Sequence, residues 1–349
     1  MGRRFRNLYD QVIAPDNLRR AYLRAATGKR STADYLAFKE HAEVLLDRLH
    51  GQLSEGTWQP LPPRCFTVYE PKARAIQAPR FADRVVHHAL CAVIEPIFDA
   101  TLLPTVFACR RGKGTHAGVR WVQSQLRHYQ YRYFLHTDFA AYFASIDRGI
   151  LRGLMDRKIT CPRTRSLLDV IIPPDGVGLP IGALTSQLGA NIYSSPLDYH
   201  LQHQLRVPFA RYMDDIVVLG QSLAELRDCQ QEIKRFAEGA LGLRLSRWNA
   251  APVSQGINFL GYRIWPHHKL LRRSSVVRAK RTIRQCAAAS DIETLRRFVG
   301  SWRGHAQWAD AHNLNVWLDE QYDLSRLVDA GPKRRPKSPK LETTLELPE

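Results

Sequence analysis

The sequence has few of the features that mark secreted, zinc-binding or membrane proteins. Its six cysteines are scattered along 349 residues without a Cys-x-x-Cys pair, which argues against a disulfide framework or a zinc module and fits a reducing cytoplasm. None of the thirteen histidines has cysteine neighbours or an HExxH frame. Because a long apolar run, a lipidation pattern and a signal peptide are all missing, we expect a cytoplasmic protein without membrane attachment.

Acidic residues are also in short supply. Lys and Arg number 51 against 33 Asp and Glu, which gives a formal net charge of +18. An excess of this size points to a polyanionic partner, and without membrane features nucleic acid is the favoured one. The hydrophobic content of 44% supports a folded chain, and the length predicts two or three subdomains around more than one core.

The most informative stretch is a pair of adjacent acids, Asp214 and Asp215. Strand-like runs at residues 209–213 and 216–219 flank the pair, which predicts a hairpin with the acids at its tip. Adjacent carboxylates favour hard divalent cations such as Mg²⁺ or Mn²⁺. One more aspartate would complete a two-metal site of the kind that catalyses phosphoryl displacement. The alternative is that both acids are ordinary turn residues.

Asp138 is the candidate for the third carboxylate. It lies within an apolar run at residues 131–143 that predicts a strand, and burying a carboxylate without a partner is costly. We therefore expect a cation beside Asp138. Asp147 is predicted instead to cap a helix that begins at Arg148.

Local periodicity predicts the other elements. Apolar spacing indicates helices at residues 31–51, 83–98, 117–129, 177–205, 223–241 and 274–290, and a further helix preceded by a capping box formed by Ser290 and Glu293. Strand-like runs at 65–69 and 74–79 predict a hairpin with its turn at 70–73, and 243–245 and 257–264 predict further strands.

A basic, glycine-rich loop at residues 107–116 precedes one of these helices. Its spacing is not that of a P-loop. A loop in this position can still hold a phosphate through main-chain amides and Arg110, Arg111 or Lys113. The alternative is a solvated basic loop without a ligand.

Taken together, these stretches resemble the reverse transcriptases over residues 64–323. Tyr212-Met213-Asp214-Asp215 resembles the Tyr-x-Asp-Asp metal hairpin of that family, and Asp138, in Asp-Phe-Ala-Ala-Tyr-Phe-Ala-Ser-Ile-Asp, resembles its first metal aspartate. Residues 78–86 and 107–116 are similar to fingers segments of the bacterial branch, and residues 257–262 are similar to its primer grip.

The resemblance implies an α+β, right-hand polymerase fold with fingers, an antiparallel palm and a helical thumb. The expected divisions are a helical amino-terminal region at 1–63, fingers at 64–137, a palm at 138–270 with a fingers segment at about 148–180, a helical thumb at 271–328, and a disordered tail at 329–349. It also implies an RNA-directed DNA polymerase that binds template RNA, an RNA/cDNA duplex and deoxynucleoside triphosphates.

The resemblance further suggests roles for individual residues. Asp138 and Asp214 would bind two Mg²⁺ ions, assisted by Asp215 and the main chain of Phe139. Phe143 would exclude the ribose 2′-hydroxyl, and Tyr142 is predicted to point the other way because neighbours on a strand alternate. The candidates for triphosphate contact are Lys72, Arg74 and Arg80. The expected nucleic-acid contacts are Arg110, Arg111, Lys113, Tyr212, Met213, Gly261, Lys280, Arg281, Arg284 and Trp302.

One departure from the family pattern suggests which branch of the reverse transcriptases this chain resembles. Most of the family reads Pro-Gln-Gly-x-x-x-Ser-Pro where this chain reads Pro180-Ile-Gly-Ala-Leu-Thr-Ser-Gln187, which resembles the diversity-generating retroelement enzymes. That likeness implies copying of a template-repeat RNA with errors at template adenines, together with a small basic oligomeric accessory protein, the variability determinant. Ile181 removes an amide near the nascent pair, and apolar sites reject misfits less well than hydrogen-bonding ones. Gln187 is counted among the nucleotide contacts. The alternative is that Ile181 is a neutral core substitution.

Other interpretations remain open at this point. The chain is also similar to group II intron or retron enzymes, and a non-catalytic RNA-binding scaffold with the same fold is the alternative from another class. Three mutually repelling carboxylates argue against such a scaffold. Where the family often has a lysine that protonates pyrophosphate, residues 245–249 place Asn249, with Arg247 as a possible substitute, so that role stays unassigned.

Overall fold

The chain forms two units that are described separately below. The computed structural model describes residues 3–69 and 73–322. The first unit comprises residues 1–260 together with 264–267, and the second comprises 261–263 together with 268–349. None of the described helices combines the length and the apolar character needed to cross a bilayer.

Helices open the first unit. Pro15 starts the second of them, a position where its missing N–H costs nothing. The helix predicted at 31–51 is two helices, because His41 leaves helical geometry at φ −125° and ψ 33°. The second of the two continues past Gly51 and ends at Gly56, whose φ of 75° suits a glycine cap. The bounds are α1 Tyr9–Ile13, α2 Pro15–Ala25, α3 Ala33–Glu40, α4 Ala42–Glu55 and α5 Phe81–Asp99.

A two-stranded hairpin precedes α5. Strands β1 Arg64–Val68 and β2 Arg74–Ala78 pair antiparallel, as predicted, and β1 is exposed along its whole length. Residues 70–72 of the predicted turn lie outside the described residues. The main-chain N–H of Gln77 donates to the carbonyl of Ile181 at 2.8 Å, which joins the base of the hairpin to the Pro-Ile-Gly segment.

An antiparallel four-stranded sheet forms the centre of the first unit. Its order is β4-β5-β3-β6, with β3 Tyr133–Phe139, β4 Phe209–Tyr212, β5 Asp215–Gly220 and β6 Leu245–Pro252. Buried residues of β3, β4 and β5 join those of the amino-terminal helices and of α10 Leu184–Tyr199 and α11 Leu223–Leu241 in one hydrophobic core. The predicted helix at 223–241 is confirmed.

The strand predicted at 131–143 is too long at its end. It stops at Phe139, and Ala141, at φ 44°, leads into the short helix α7 Tyr142–Ser145. Tyr142 is buried and its hydroxyl contacts the carbonyl of Ala190 at 2.5 Å. Phe143 is half-buried, and because both residues lie in α7, strand alternation does not apply to them; both residues line the cavity described below.

The rest of the first unit connects these layers. Asp147 caps α8 as predicted, since its Oδ1 accepts the N–H of Ile150 at 2.9 Å. The helix after residue 183 ends in a π-helical stretch, His200–Leu205, before β4. The remaining elements are α6 Thr115–Tyr129, α8 Arg148–Asp156, α9 Pro162–Ile171, a 3₁₀ turn Val253–Gln255 and β7 Ile257–Phe259.

Helices dominate the second unit. The predicted capping box is displaced by one residue: Asp291 caps α13, its Oδ1 accepting the N–H of Thr294 at 3.0 Å, whereas Ser290 has a φ of 53°. Leu295, Val299 and Trp302 form the buried face of that helix. The bounds here are β8 Tyr262–Ile264, β9 Lys269–Leu271, α12 Arg273–Ala288, α13 Ile292–Ala306 and α14 His312–Tyr322.

Candidate active site

The Asp-Asp hairpin is held in place by a buried ion pair that the sequence analysis missed. Tyr212 pairs with Asp215 across the turn, and Met213 takes a φ of 57° there. Arg211, which is fully buried, donates to the Met213 carbonyl at 3.0 Å. The same guanidinium meets both carboxylate oxygens of Asp198 on α10 at 2.6 Å, a bidentate pair. Burial lowers the pKa of Arg211, but the charge and hydrogen bonds of Asp198, together with Tyr142 and Asp214, raise it above its ordinary value.

Asp138 reaches the same region from the neighbouring strand. It is the penultimate residue of β3, which pairs with β5 on one side and with β6 on the other. The β3–β6 register shifts between Asp138 and Phe139, a bulge that re-aims the end of the strand. Ser246, on the partner strand, donates its hydroxyl to Asp138 Oδ1.

Asp138 and Asp214, two of the three acids predicted to converge, line one cavity. The cavity has a volume of about 710 Å³, within the size range of ligand pockets. Arg74, Phe143 and Ile181 stand on its wall, all three predicted as nucleotide contacts. The other lining residues include Gln77, Phe139, Ser246 and Arg247, of which sequence reasoning had singled out Phe139 and, without a settled role, Arg247.

The charges of this cavity repel one another. Burial raises the pKa of Asp214, the carboxylates of Asp215 and Asp138 raise it further, and its own main-chain amide and Arg74 lower it in part. The net rise in the pKa of Asp214 reflects a negative charge that the protein alone compensates poorly. A cation between Asp138 and Asp214 would relieve the repulsion.

Asp215 stands apart from the other two acids. It does not line the cavity, and its Oδ1 is paired with Nε2 of His136. His136 lies two residues before Asp138 on β3, so both side chains point to the same face of the strand. The sequence shows that spacing, but it does not show that β3 lies beside β5. In the described ranges no three His, Cys, Asp or Glu side chains form a ready-made set of metal ligands.

Two carboxylates nevertheless fit Mg²⁺. This ion is usually held by one or two carboxylates together with water and substrate phosphates, rather than by a cage made of protein alone. Asp138 and Asp214 supply those hard oxygen donors on an open cavity, with Phe139 at its edge. Asp215 is held by His136 in this arrangement, and its assistance to the metals stays a prediction.

Of the remaining predicted nucleotide contacts, Arg80 and Gln187 lie outside the lining of this cavity. Lys72 is outside the described residues. The Nε of Arg80 lies 3.7 Å from Asp34 Oδ2, and Arg80 does not reach the cavity. Gln187 lines a second, smaller cavity instead.

The structure gives Arg110 a different role from the phosphate contact that was predicted for it. Its side chain is only 9% exposed, and Nε donates to Asp99 Oδ1 at 2.5 Å. The rest of the guanidinium donates to main-chain carbonyls at the end of α5 and in the loop after it, those of Asp99, Leu102, Leu103 and Val106. Arg110 is therefore a structural residue that closes this loop. Arg111 is exposed, and the Nζ of Lys113 donates to the carbonyl of Pro104 at 2.8 Å.

Two other predicted nucleic-acid contacts are also buried. Met213 and Trp302 are each 9% exposed, the first in the core of the first unit and the second inside the second unit, so neither side chain is presented to a ligand. Tyr212 is half-buried, and Gly261 takes a φ of 90° in the turn before β8. Arg281 and Arg284 are exposed, and the Nζ of Lys280 lies 3.7 Å from the ring centre of Trp317.

The comparison with known families decides which group of proteins this is. The family model described as reverse transcriptase (RNA-dependent DNA polymerase) matches residues 69–264, more than half of the 349 residues. This chain belongs to the reverse transcriptase family. It is thus an RNA-directed DNA polymerase by family, and its antiparallel sheet with surrounding helices is the α+β, right-hand fold expected of that family.

Individual relatives are distant. Protein YkfC of Escherichia coli (strain K12) is 26% identical over 284 residues, covering 66% of this chain and 72% of YkfC. The group II intron-encoded protein LtrA of Lactococcus lactis subsp. cremoris is 24% identical over 249 residues, covering 67% of this chain but 40% of LtrA. This reverse transcriptase therefore spans less than half the length of LtrA.

Solved structures of telomerase also match. The apo telomerase from Candida tropicalis aligns with a TM-score of 0.48 and 8% identity, covering 74% of this chain and 61% of that one. The telomerase from Candida albicans, solved with a fragment of telomeric RNA, aligns with a TM-score of 0.45 and 8% identity, covering 66% and 51%.

Proposed function

We propose that this reverse transcriptase copies RNA into DNA by metal-dependent nucleotidyl transfer at the cavity that holds Asp138 and Asp214. The observation that carries the proposal is that these two acids, 76 positions apart in the numbering, line one nucleotide-sized cavity. Template RNA, the RNA/cDNA duplex and deoxynucleoside triphosphates are the ligands that this activity requires.

Different residues of the cavity would have different roles in the reaction. Asp138, Asp214 and the carbonyl of Phe139 would hold two Mg²⁺ ions, with Mn²⁺ as a substitute. When bound, such ions lower the pKa of the attacking 3′-hydroxyl and offset the charge on the leaving pyrophosphate. Arg74 stands close enough to Asp214 to lower its pKa, a position suited to the triphosphate. Phe143 stands on the wall, where it would exclude a 2′-hydroxyl.

Arg247 is our candidate for the group beside the leaving pyrophosphate. Arg247 lines the cavity and is the pairing partner of Asp138 between strands β6 and β3. Asn249 is the pairing partner of His136 and does not line the cavity. A guanidinium keeps its proton, so Arg247 would stabilise the leaving group as a charge rather than protonate it.

Two acid substitutions test the activity. Asp214→Ala and Asp138→Asn should each abolish Mg²⁺-dependent extension of a DNA primer on an RNA template, because one of two metal-holding carboxylates is lost. Asp228→Ala, which removes an exposed acid of α11, should leave extension unchanged. Thermal melting of each variant shows whether the fold is intact. Substantial synthesis by well-folded Asp214→Ala would remove the metal assignment.

We further propose that the enzyme belongs to the diversity-generating branch. Ile181 supports this, because it presents an apolar side chain to the nucleotide cavity where most of the family has a glutamine. The enzyme would then copy a template-repeat RNA with errors at template adenines, together with a small basic oligomeric accessory protein. The second candidate, a group II intron-type enzyme, is favoured by the similarity to LtrA.

The error spectrum separates these two candidates. Ile181→Gln should lower misincorporation opposite template adenines, because a hydrogen-bonding site rejects a misfit better than an apolar one. Ile181→Leu is the matched control and should keep the wild-type spectrum. The measurement is sequencing of cDNA made on a mixed RNA template, with and without candidate accessory proteins. An unchanged spectrum in Ile181→Gln would defeat the fidelity argument.

The larger divisions are part of the same proposal. We assign fingers to 64–137, palm to 138–270 and thumb to 271–328. The basic helix α12 would hold the template-primer backbone in a salt-sensitive contact that does not depend on sequence.

A further inference from the structure

A second cavity in the first unit has no role in the chemistry described so far. Its volume is about 220 Å³, and its wall includes Arg84, His87, His88, Gly182 and Gln187. Ile181 lines the catalytic cavity and the next residue, Gly182, lines this one, so a single stretch of chain borders both. Gly182 has a φ of 126°, and a Cβ there would come within 3.0 Å of the Gln77 carbonyl, so the wall at this point is bare main chain.

Arg84 is the charged group of the cavity. It lies in the first turn of α5, is half-buried, and its buried Nε has no hydrogen-bond partner in the structure. Burial lowers its pKa, and no neighbouring carboxylate works against that effect. Taking a guanidinium out of water is costly unless an anion compensates for it. An internal carboxylate does this for Arg211, but the described residues provide none for Arg84.

The two histidines add donors without adding charge. His87 is 6% exposed and its Nδ1 lies 3.0 Å from Thr185 Oγ1. Burial, followed by the neighbouring cations, lowers the pKa of both His87 and His88 to about 4. Both rings are therefore neutral at pH 7, and each carries one N–H. The wall thus combines one permanent cation with neutral polar side chains, including the Gln187 amide, and no lining residue is acidic.

We propose that this cavity binds one backbone phosphate of the template strand, with Arg84 as its main contact. The proposal builds on the polymerase function above. A guanidinium suits a phosphate because its fork of N–H donors matches two phosphate oxygens. The triphosphate of the incoming nucleotide belongs beside Asp138 and Asp214, which line the other cavity. Of the two strands of the duplex, the template is the one whose base would lie next to Ile181, and Gly182, the next residue, borders this cavity, so we choose the template as the phosphate source.

The test measures binding without chemistry. The full chain is titrated, without Mg²⁺, onto a fluorescent RNA template annealed to a DNA primer, and anisotropy is followed over a range of salt concentrations. Arg84→Gln should weaken binding about tenfold, the scale of one charge-assisted hydrogen bond, and should reduce the salt slope by about 0.7–0.9. Arg227→Gln removes an exposed arginine of α11 and is the matched control, with little change expected. Arg84→Lys keeps the charge and should retain most of the affinity.

A second measurement changes the RNA instead of the protein, so its first result, obtained with the wild-type chain, does not depend on whether a variant folds. Template phosphates near the primer end are replaced one at a time by neutral methylphosphonates. Replacement of the phosphate at one position should strongly weaken template binding by the wild type. The same replacement should hardly affect binding by Arg84→Gln.

Three outcomes would overturn the proposal. The first is an affinity and salt slope of Arg84→Gln equal to those of Arg227→Gln, and the second is a methylphosphonate series without a sensitive position. The third comes from a separate primer-extension assay with Mg²⁺: a higher KM of Arg84→Gln for the nucleotide, with unchanged template binding. The last outcome would assign the cavity to a nucleotide phosphate. Asp214→Ala should still bind template normally, so failure of this proposal and failure of the catalytic one are separate results.

Discussion

The buried pair between Arg211 and Asp198 offers the sharpest test of how the catalytic hairpin is built. We consider Arg211→Met, which keeps the length of the side chain and removes its charge. The two side chains are 0% and 1% exposed, so the substitution leaves the Asp198 carboxylate without a partner inside the protein. Breaking one partner of such a pair costs about 3–5 kcal/mol of unfolding free energy. The Met213 carbonyl also loses its donor, which frees the turn that carries Asp214.

The double variant Arg211→Met/Asp198→Leu separates stability from activity. Replacing both charges by apolar groups of similar size is often neutral or stabilising, so urea unfolding should show most of the lost stability restored. Primer extension should remain low, because the Met213 carbonyl is still without its donor. A single variant that loses less than about 1 kcal/mol, or a double variant that recovers full extension, would refute this account of the hairpin.

Two further predictions concern His136 and Asp83. His136→Phe should lower several-fold the Mg²⁺ concentration needed for half-maximal extension, because Asp215 loses the group that holds it away from the cavity and its carboxylate becomes an additional oxygen donor, whereas His136→Gln keeps a donor and should change that concentration less. Burial raises the pKa of Asp83 to about 6, so the folded state holds this proton more tightly than the unfolded chain does. The contribution of Asp83 to the free energy of unfolding is therefore full below about pH 4 and is lost as the pH rises to 6. Asp83→Asn should therefore match the wild type near pH 4 and exceed it by up to about 3 kcal/mol at pH 7 in urea unfolding.

Each of these predictions has a clear contrary result. An unchanged Mg²⁺ dependence in well-folded His136→Phe would mean that Asp215 needs no restraint. A stability difference between Asp83→Asn and the wild type that does not vary with pH would mean that the carboxyl of Asp83 titrates at its ordinary pKa. The comparison with the wild type at each pH cancels the contributions of other titrating groups.

The sequence alone was sufficient where the signal is local. Helical periodicity predicted the bounds of α11, and the strand-like runs on either side of Asp214 and Asp215 predicted the β4–β5 hairpin. The apolar setting of Asp138 led to the expectation that it joins Asp214, and both do line one cavity. These inferences succeed because 3.6- and 2-residue periods report local backbone conformation directly.

Tertiary structure decided which side chains meet across the sheet and which are buried. Asp215 pairs with His136, 79 residues away, because β5 lies beside β3 in one register. Arg110 and Trp302 read as ligand contacts from their type, yet one closes a loop and the other fills a core. Burial lowers the pKa of both Arg84 and Arg211, and only the fold shows that Arg211 is the one with a carboxylate partner. Composition and spacing carry no record of such partners, since each is set by the packing of distant segments.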